Sequence, residues 1–167
     1  GKFDGVHPSL ACGTTSGKVV IHSPHDSQGE ATSGDKNGNI RFLNINNKIT
    51  CLGSGPLHPD TAPREMLLAG TATNLLVYDT EKNSDVFYKE IPDGVECMTL
   101  TTPSGSNGHL AVVGGNCSVQ GFDHEATEQL WTVTGDHVTA MANVDIDGDG
   151  ETELLVGSND FEIRGFK

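Results

Sequence analysis

The chain has 167 residues, with 23 acidic and 10 basic side chains and a formal charge of −13. That balance disfavours binding to nucleic-acid phosphates or anionic lipid, which needs clustered Lys and Arg, and no apolar run approaches the ~20 residues of a membrane span. With 35% hydrophobic but only 5% aromatic residues and 21 glycines, the core must come from Val, Leu, Ile and Ala on many short elements joined by glycine-rich turns, a composition that favours strands.

Taken in chain order, β-propensity and turn residues predict strands at residues 9–13 and 19–22. Residues 23–39 are rich in Ser, Gly, Asp, Asn and His with no apolar period, and are expected to form a mobile inserted loop. A third strand follows at 40–45. Strands at 49–52, 65–70, 74–79 and 86–91 make one complete unit, closed by Asp93-Gly94. Strands at 95–101, 109–114, 118–122 and 130–134 make a second, closed by Gly135-Asp136. Three more are expected at 138–143, 153–157 and 161–166. No segment sustains a helical apolar period, so the fold class is all-β.

An internal repeat organises these strands. Segments 10–22, 67–79, 110–123 and 154–166 each carry an apolar run, a glycine and a second β-rich run, with the shared glycines at Gly13, Gly70, Gly114 and Gly157. The last three stand 44 and 43 residues apart, within the period of about 40–45 expected for four-stranded propeller blades. The first interval, 57, is lengthened by the 23–39 insertion. The chain is therefore expected to be a single partial β-propeller domain over 1–167, with about four blades, two complete and two terminal ones incomplete. Both ends read as cut, and an open arc of this kind would expose strand edges through which it self-associates.

One motif carries chemistry. Residues 145–153 read Asp-Ile-Asp-Gly-Asp-Gly-Glu-Thr-Glu, a DxDxDGxxE pattern between two predicted strands. Alternate carboxylates of Asp145, Asp147 and Asp149 can converge on one hard cation, Glu151 can add its backbone carbonyl, and Glu153 a further carboxylate. Oxygen-only ligands point to Ca²⁺ in a structural role. An EF-hand is excluded because its twelfth position is Val156 and its flanks are strands. The bland alternative is an acidic turn whose aspartates cap backbone N–H groups. Phe3-Asp4-Gly5 occupies the corresponding place before the first repeat, but lacks the other carboxylates and is expected to hold no metal.

The remaining reactive residues read as structural. Cys12, Cys51, Cys97 and Cys117 form no CxxC pair and sit in or beside apolar runs, as small core residues do. Trp131, the only tryptophan, is expected to pack between blades. Asp123-His124-Glu125 is expected to be a polar turn between strands, with no supporting nucleophile motif, so the chain is not read as an enzyme.

Several strings carry a resemblance: Gly17-Lys18-Val19-Val20-Ile21-His22, residues 73–79, 114–122, 131–136 and 145–157, and Phe161-Glu162-Ile163-Arg164. These closely resemble the Bardet-Biedl syndrome 2 family of BBSome subunits, over nearly the whole chain apart from 23–39. The acidic loop by itself is similar to the calcium hairpin loops of integrin-type propeller repeats. The family resemblance implies a non-catalytic scaffold propeller, part of a larger one, within a coat-like cargo adaptor for ciliary membrane proteins. It implies partners among sister subunits, notably the seventh and ninth Bardet-Biedl proteins, with cargo engaged indirectly and membranes reached through an Arf-like small GTPase. The implied location is the cytoplasm and the cilium, including its basal body and, peripherally, its membrane. The alternative from another class is a calcium-dependent extracellular adhesion or ligand-binding propeller, which should contain disulfides where the adaptor has free thiols.

Overall fold

A computed structural model describes residues 1–25, 39–103 and 108–167. Apart from a short 3-10 turn at Pro59–Thr61, every regular element among them is a strand. The strands fall into four antiparallel meanders. The first contains β1 (Leu10–Gly13), β2 (Lys18–His22) and β3 (Ile40–Asn44). The second contains β4 (Ile49–Gly55), β5 (Met66–Thr71), β6 (Asn74–Asp79) and β7 (Ser84–Glu90). The third runs β8 (Cys97–Thr101), β9 (Leu110–Gly114), β10 (Ser118–Phe122), β11 (Glu128–Val133), and the fourth β12 (Val138–Val144), β13 (Glu153–Ser158), β14 (Ile163–Phe166). Two full sheets flanked by two three-stranded ones is the pattern the repeat predicts.

The repeat glycines fix how strands correspond. Gly13 lies on β1, Gly70 on β5, Gly114 on β9 and Gly157 on β13, so these are equivalent second strands. The first sheet therefore has no equivalent of β4 among the described residues, and the last has none of β7. Neighbouring sheets meet along β1 and β4, β4 and β8, and β8 and β12. Each first strand leans on the sheet before it, as stacked blades do.

The reason β5 and β9 read as continuous apolar runs follows from this stacking. A strand covered on both faces has no solvent side, so alternation disappears. Successive side chains of β5 enter different cores. Leu68 joins Leu75, Val77, Val95, Ala111, Val113 and Phe122 between the second and third sheets. Leu67 and Ala69 join Val19, Ile21, Leu76, Tyr78 and Phe3 between the first and second. On β9, Leu110 and Val112 turn the other way, to Val119, Val138, Leu154 and Val156. Outer strands lack a second covered face, and β11 shows the alternating exposure of an edge strand.

The long interval after Gly13 falls at the β2–β3 connection. His22 pairs with Ile40, and Ser23 N donates to Asn39 O at 2.9 Å, so the hairpin closes on either side of the insertion. The expected mobile loop at 23–39 lies mostly outside the described residues, which omit 26–38.

Two expectations need correction. Trp131 is 60% exposed and does not pack between sheets, because β11 is an outermost strand and residue 131 falls on its solvent-facing part. Cys12 is exposed, since the three-stranded first sheet has nothing over that face of β1 among the described residues. Cys51 and Cys97 do pack against core clusters, where their thiols face Val95 O at 3.7 Å and Val138 O at 3.9 Å. Cys117 is half-buried.

Candidate metal centre in the β12–β13 hairpin

The acidic motif forms the turn between β12 and β13, whose register runs from Val144↔Glu153 to Val138↔Ser158. Gly148 and Gly150 have φ of 78° and 90°, in the left-handed region where a side chain is strained, although a Cβ at either would meet none of the described residues within 4 Å. Backbone conformation, not crowding, explains both glycines.

The aspartates organise the loop from within. Gly148 N donates to Asp145 Oδ1 at 2.7 Å and Gly150 N to Asp145 Oδ2 at 2.9 Å. Asp149 N donates to Asp147 Oδ1 at 3.2 Å, and Glu151 N to Asp149 Oδ1 at 2.8 Å. These are the capping bonds of the acidic-turn alternative, yet they leave one oxygen on each of Asp147 and Asp149 directed elsewhere.

Those oxygens face a cation from outside the motif. Lys167 Nζ lies 2.9 Å from Asp147 Oδ2, 2.5 Å from Asp149 Oδ2 and 3.5 Å from Glu153 Oε1. The lysine ammonium and the Glu151 amide hold the Asp149 carboxyl below its ordinary range, and the same carboxylates raise the Lys167 ammonium. Glu153 differs from the aspartates in being buried, at 7% exposure. Its Oε2 accepts from Ile146 N at 2.9 Å, while its Oε1 accepts no hydrogen bond from the described residues.

The five residues singled out from sequence are therefore not equivalent. Asp145, Asp147 and Asp149 each bring a carboxylate oxygen within 4.8 Å of the others. Glu153 shares the Lys167 ammonium with two of them. The Glu151 side chain is exposed and is not one of the three that converge, consistent with a backbone rather than a carboxylate role. Lys167 was not anticipated. The signal was register: Phe166 pairs with Leu154, so the next residue falls opposite Glu153, beside the loop.

The other candidates resolve into turns. Asp123 Oδ1 accepts from Glu125 N and Thr127 N, both at 2.9 Å, and its Oδ2 accepts from Gln129 Nε2, so Asp123-His124-Glu125 is the β10–β11 turn. Asp4 accepts from Val6 N and His7 N at 2.8 and 2.7 Å, and these amides hold its carboxyl down at about 2.

Comparison with known proteins places the chain. Residues 1–101 match the family model described as ciliary BBSome complex subunit 2, N-terminal. The chain is similar to BBSome complex member BBS2 of Mus musculus, 49% identical over 172 residues, covering 100% of this chain and 24% of that protein. The Homo sapiens protein of the same name is 46% identical with the same coverage. BBSome complex member bbs-2 of Caenorhabditis elegans is 42% identical over 128 residues, covering 75% of this chain and 17% of that protein. The chain thus spans 24% of the length of its mammalian relatives. Among solved structures, BBS1N in complex with ARL6DN superposes with TM-scores of 0.69 and 0.70 in its lead-soaked and mercury-soaked forms. Coverage is 95% and 98% of this chain, and 42% and 43% of that one. Sequence identities of 13% and 14% make this a likeness of fold.

Proposed function

The chain belongs to the ciliary BBSome complex subunit 2 family, and on that footing we propose that it is a non-catalytic scaffold propeller, supporting the traffic of ciliary membrane proteins by holding sister subunits together. The observation that carries this reading is the similarity to BBSome complex member BBS2 of Mus musculus, 49% identical along the whole chain. The partners proposed are other BBSome subunits, the seventh and ninth Bardet-Biedl proteins foremost, with membrane-protein cargo met through the assembly. The proposed location is the cytoplasm and the cilium, including its basal body and, peripherally, its membrane. The 1–167 unit acts as one partial propeller, whose open sheet edges pair with a second copy when it is isolated. Deleting these residues from the full-length subunit and recovering the complex from ciliated cells tests the scaffold role. Loss of stoichiometric sister subunits is expected, and undiminished recovery would overturn it.

The β12–β13 loop is proposed as a structural Ca²⁺ site within that scaffold. Carboxylates of Asp145, Asp147, Asp149 and Glu153 and the Glu151 carbonyl would hold the ion, whose charge would offset their mutual repulsion and brace the hairpin. Support comes from the three convergent aspartate oxygens and the buried Glu153 oxygen without a hydrogen bond from the described residues. Calorimetric titration of the EDTA-stripped chain with CaCl₂ is expected to show binding that Asp147→Ala abolishes. Absence of heat in the unaltered chain would leave the loop an acidic turn.

A further inference from the structure

We propose that Lys167 is a built-in competitor for the acidic loop, so that a divalent cation binds only by displacing its ammonium. The inference rests on the loop being a metal site, and it adds how that site is controlled.

Three observations lead there. Lys167 Nζ stands within 3.5 Å of Asp147, Asp149 and Glu153, which are three of the four carboxylates proposed as ligands. Glu153 is buried and its Oε1 accepts no hydrogen bond from the described residues, so the charge on that oxygen is balanced by the ammonium rather than by a donor. A buried carboxylate oxygen without a partner is costly, which makes some cation at this position a requirement of the fold. Finally, the aspartate oxygens lie within 4.8 Å of one another. Three oxygens at that limit stand about 2.8 Å from a common centre, a few tenths of an ångström beyond the 2.3–2.6 Å bond of Ca²⁺ to oxygen, so a small inward shift lets one ion reach all three.

The ammonium and the metal therefore exclude one another. The lysine's contacts of 2.5 and 2.9 Å are close to the length of a calcium–oxygen bond, so both cations need the same space between the same oxygens. A positive charge left there would also repel an incoming one. Lysine suits the task because its ammonium is a compact charge on a flexible stem, and Lys167 is half-exposed and free to swing into solvent. Its neighbour Phe166 is paired with Leu154 in the β13–β14 ladder, so displacement frees the Lys167 side chain while β14 keeps its place.

The test is calorimetric titration of the EDTA-stripped chain and of Lys167→Met with CaCl₂. Exposed ion pairs are individually weak, and removing three from the competing state is expected to tighten binding about tenfold. A second measurement uses the unaltered chain: the side-chain NMR signals of Lys167 are expected to move to those of a solvated lysine as Ca²⁺ saturates. Equal or weaker binding by Lys167→Met, or Lys167 signals unmoved by saturating Ca²⁺, would overturn the competition while leaving the metal site standing. No binding by either chain would overturn both.

Discussion

Val95 rests on the backbone of Gly70: a Cβ placed on that glycine would lie 2.6 Å from Val95 Cγ1 and 2.8 Å from Cys51 Sγ. The same relationship recurs one unit on, where Val138 and Cys97 close over Gly114. In one place the residue leading into β8, in the other the first residue of β12, seats on the second strand of the sheet before it. At Gly70 and Gly114 glycine is required because there is no room for a side chain where two sheets touch.

This contact predicts opposite outcomes for two equivalent glycines. Gly70→Ala forces the stiff β-branched side chain of Val95 and the Cys51 thiol apart and is expected to destabilise by about 1–3 kcal/mol, the usual cost of overpacking. Among the described residues a Cβ at Gly157 would meet only Ala140 O, at 3.9 Å, so Gly157→Ala should be neutral within about 0.5 kcal/mol. Urea unfolding of both variants measures the difference, and equal effects would refute the seating argument.

Acid should act on the protein through Asp79. This carboxylate is 3% exposed and receives Arg64 in a bidentate pair at 3.0 and 3.0 Å, along with the Glu81 and Lys82 amides at 3.0 Å. Burial pushes its pKa up, but the amides and the guanidinium together outweigh burial and leave it below the ordinary 3.8. A depressed folded pKa gives stability that is present above 3.8 and lost as pH falls through the lower folded value. Arg64→Met strands the buried charge and is expected to cost about 3 kcal/mol near neutrality. The loss should shrink below pH 3.8, as Asp79 takes up a proton more readily in the variant. Thermal melts across pH for both proteins check the sign.

The four thiols should separate cleanly by reactivity. Burial pushes Cys51 and Cys97 up to about 11, whereas Cys12 is exposed. At pH 8 only about one in a thousand of the two raised thiols is ionised, and the thiolate is the nucleophile. Timed alkylation with iodoacetamide, read by peptide mass spectrometry, should label Cys12 first and leave Cys51 and Cys97 unmodified until urea is added. Early labelling of Cys51 would contradict the packing of β4 on the third sheet.

Trp131 offers a direct probe of the outer strands. Truncating a core tryptophan costs about 3–5 kcal/mol, but a side chain 60% exposed on β11 should cost less than about 1. Trp131→Ala unfolding, together with acrylamide quenching of the single native tryptophan, measures both its energetic weight and its exposure. A core-like loss of stability would place Trp131 back between sheets.

Local pattern suffices for elements set by their own residues. Strands 74–79 and 118–122 are legible to the residue, since each is a short apolar or β-branched run bounded by turn residues. The 44- and 43-residue spacing of glycines likewise gives four sheets and their incomplete ends. The acidic loop is legible as a motif, because its ligand types and its glycines follow one another in sequence. Trp131 was misplaced because alternation within β11 says which residues share a face, but not whether another sheet covers that face.

Local sequence thus determined the strands, the repeat and the presence of a carboxylate cluster, all of which depend on neighbours a few residues apart. Only the tertiary structure decided which valine seats on which glycine, that Arg64 reaches Asp79, and that Lys167 returns to face Asp147, Asp149 and Glu153. Each of these joins residues from different strands or turns, and the physical reason is register: a hydrogen-bonded ladder sets which side chains stand opposite, and a shift of one residue turns every one of them to the other face.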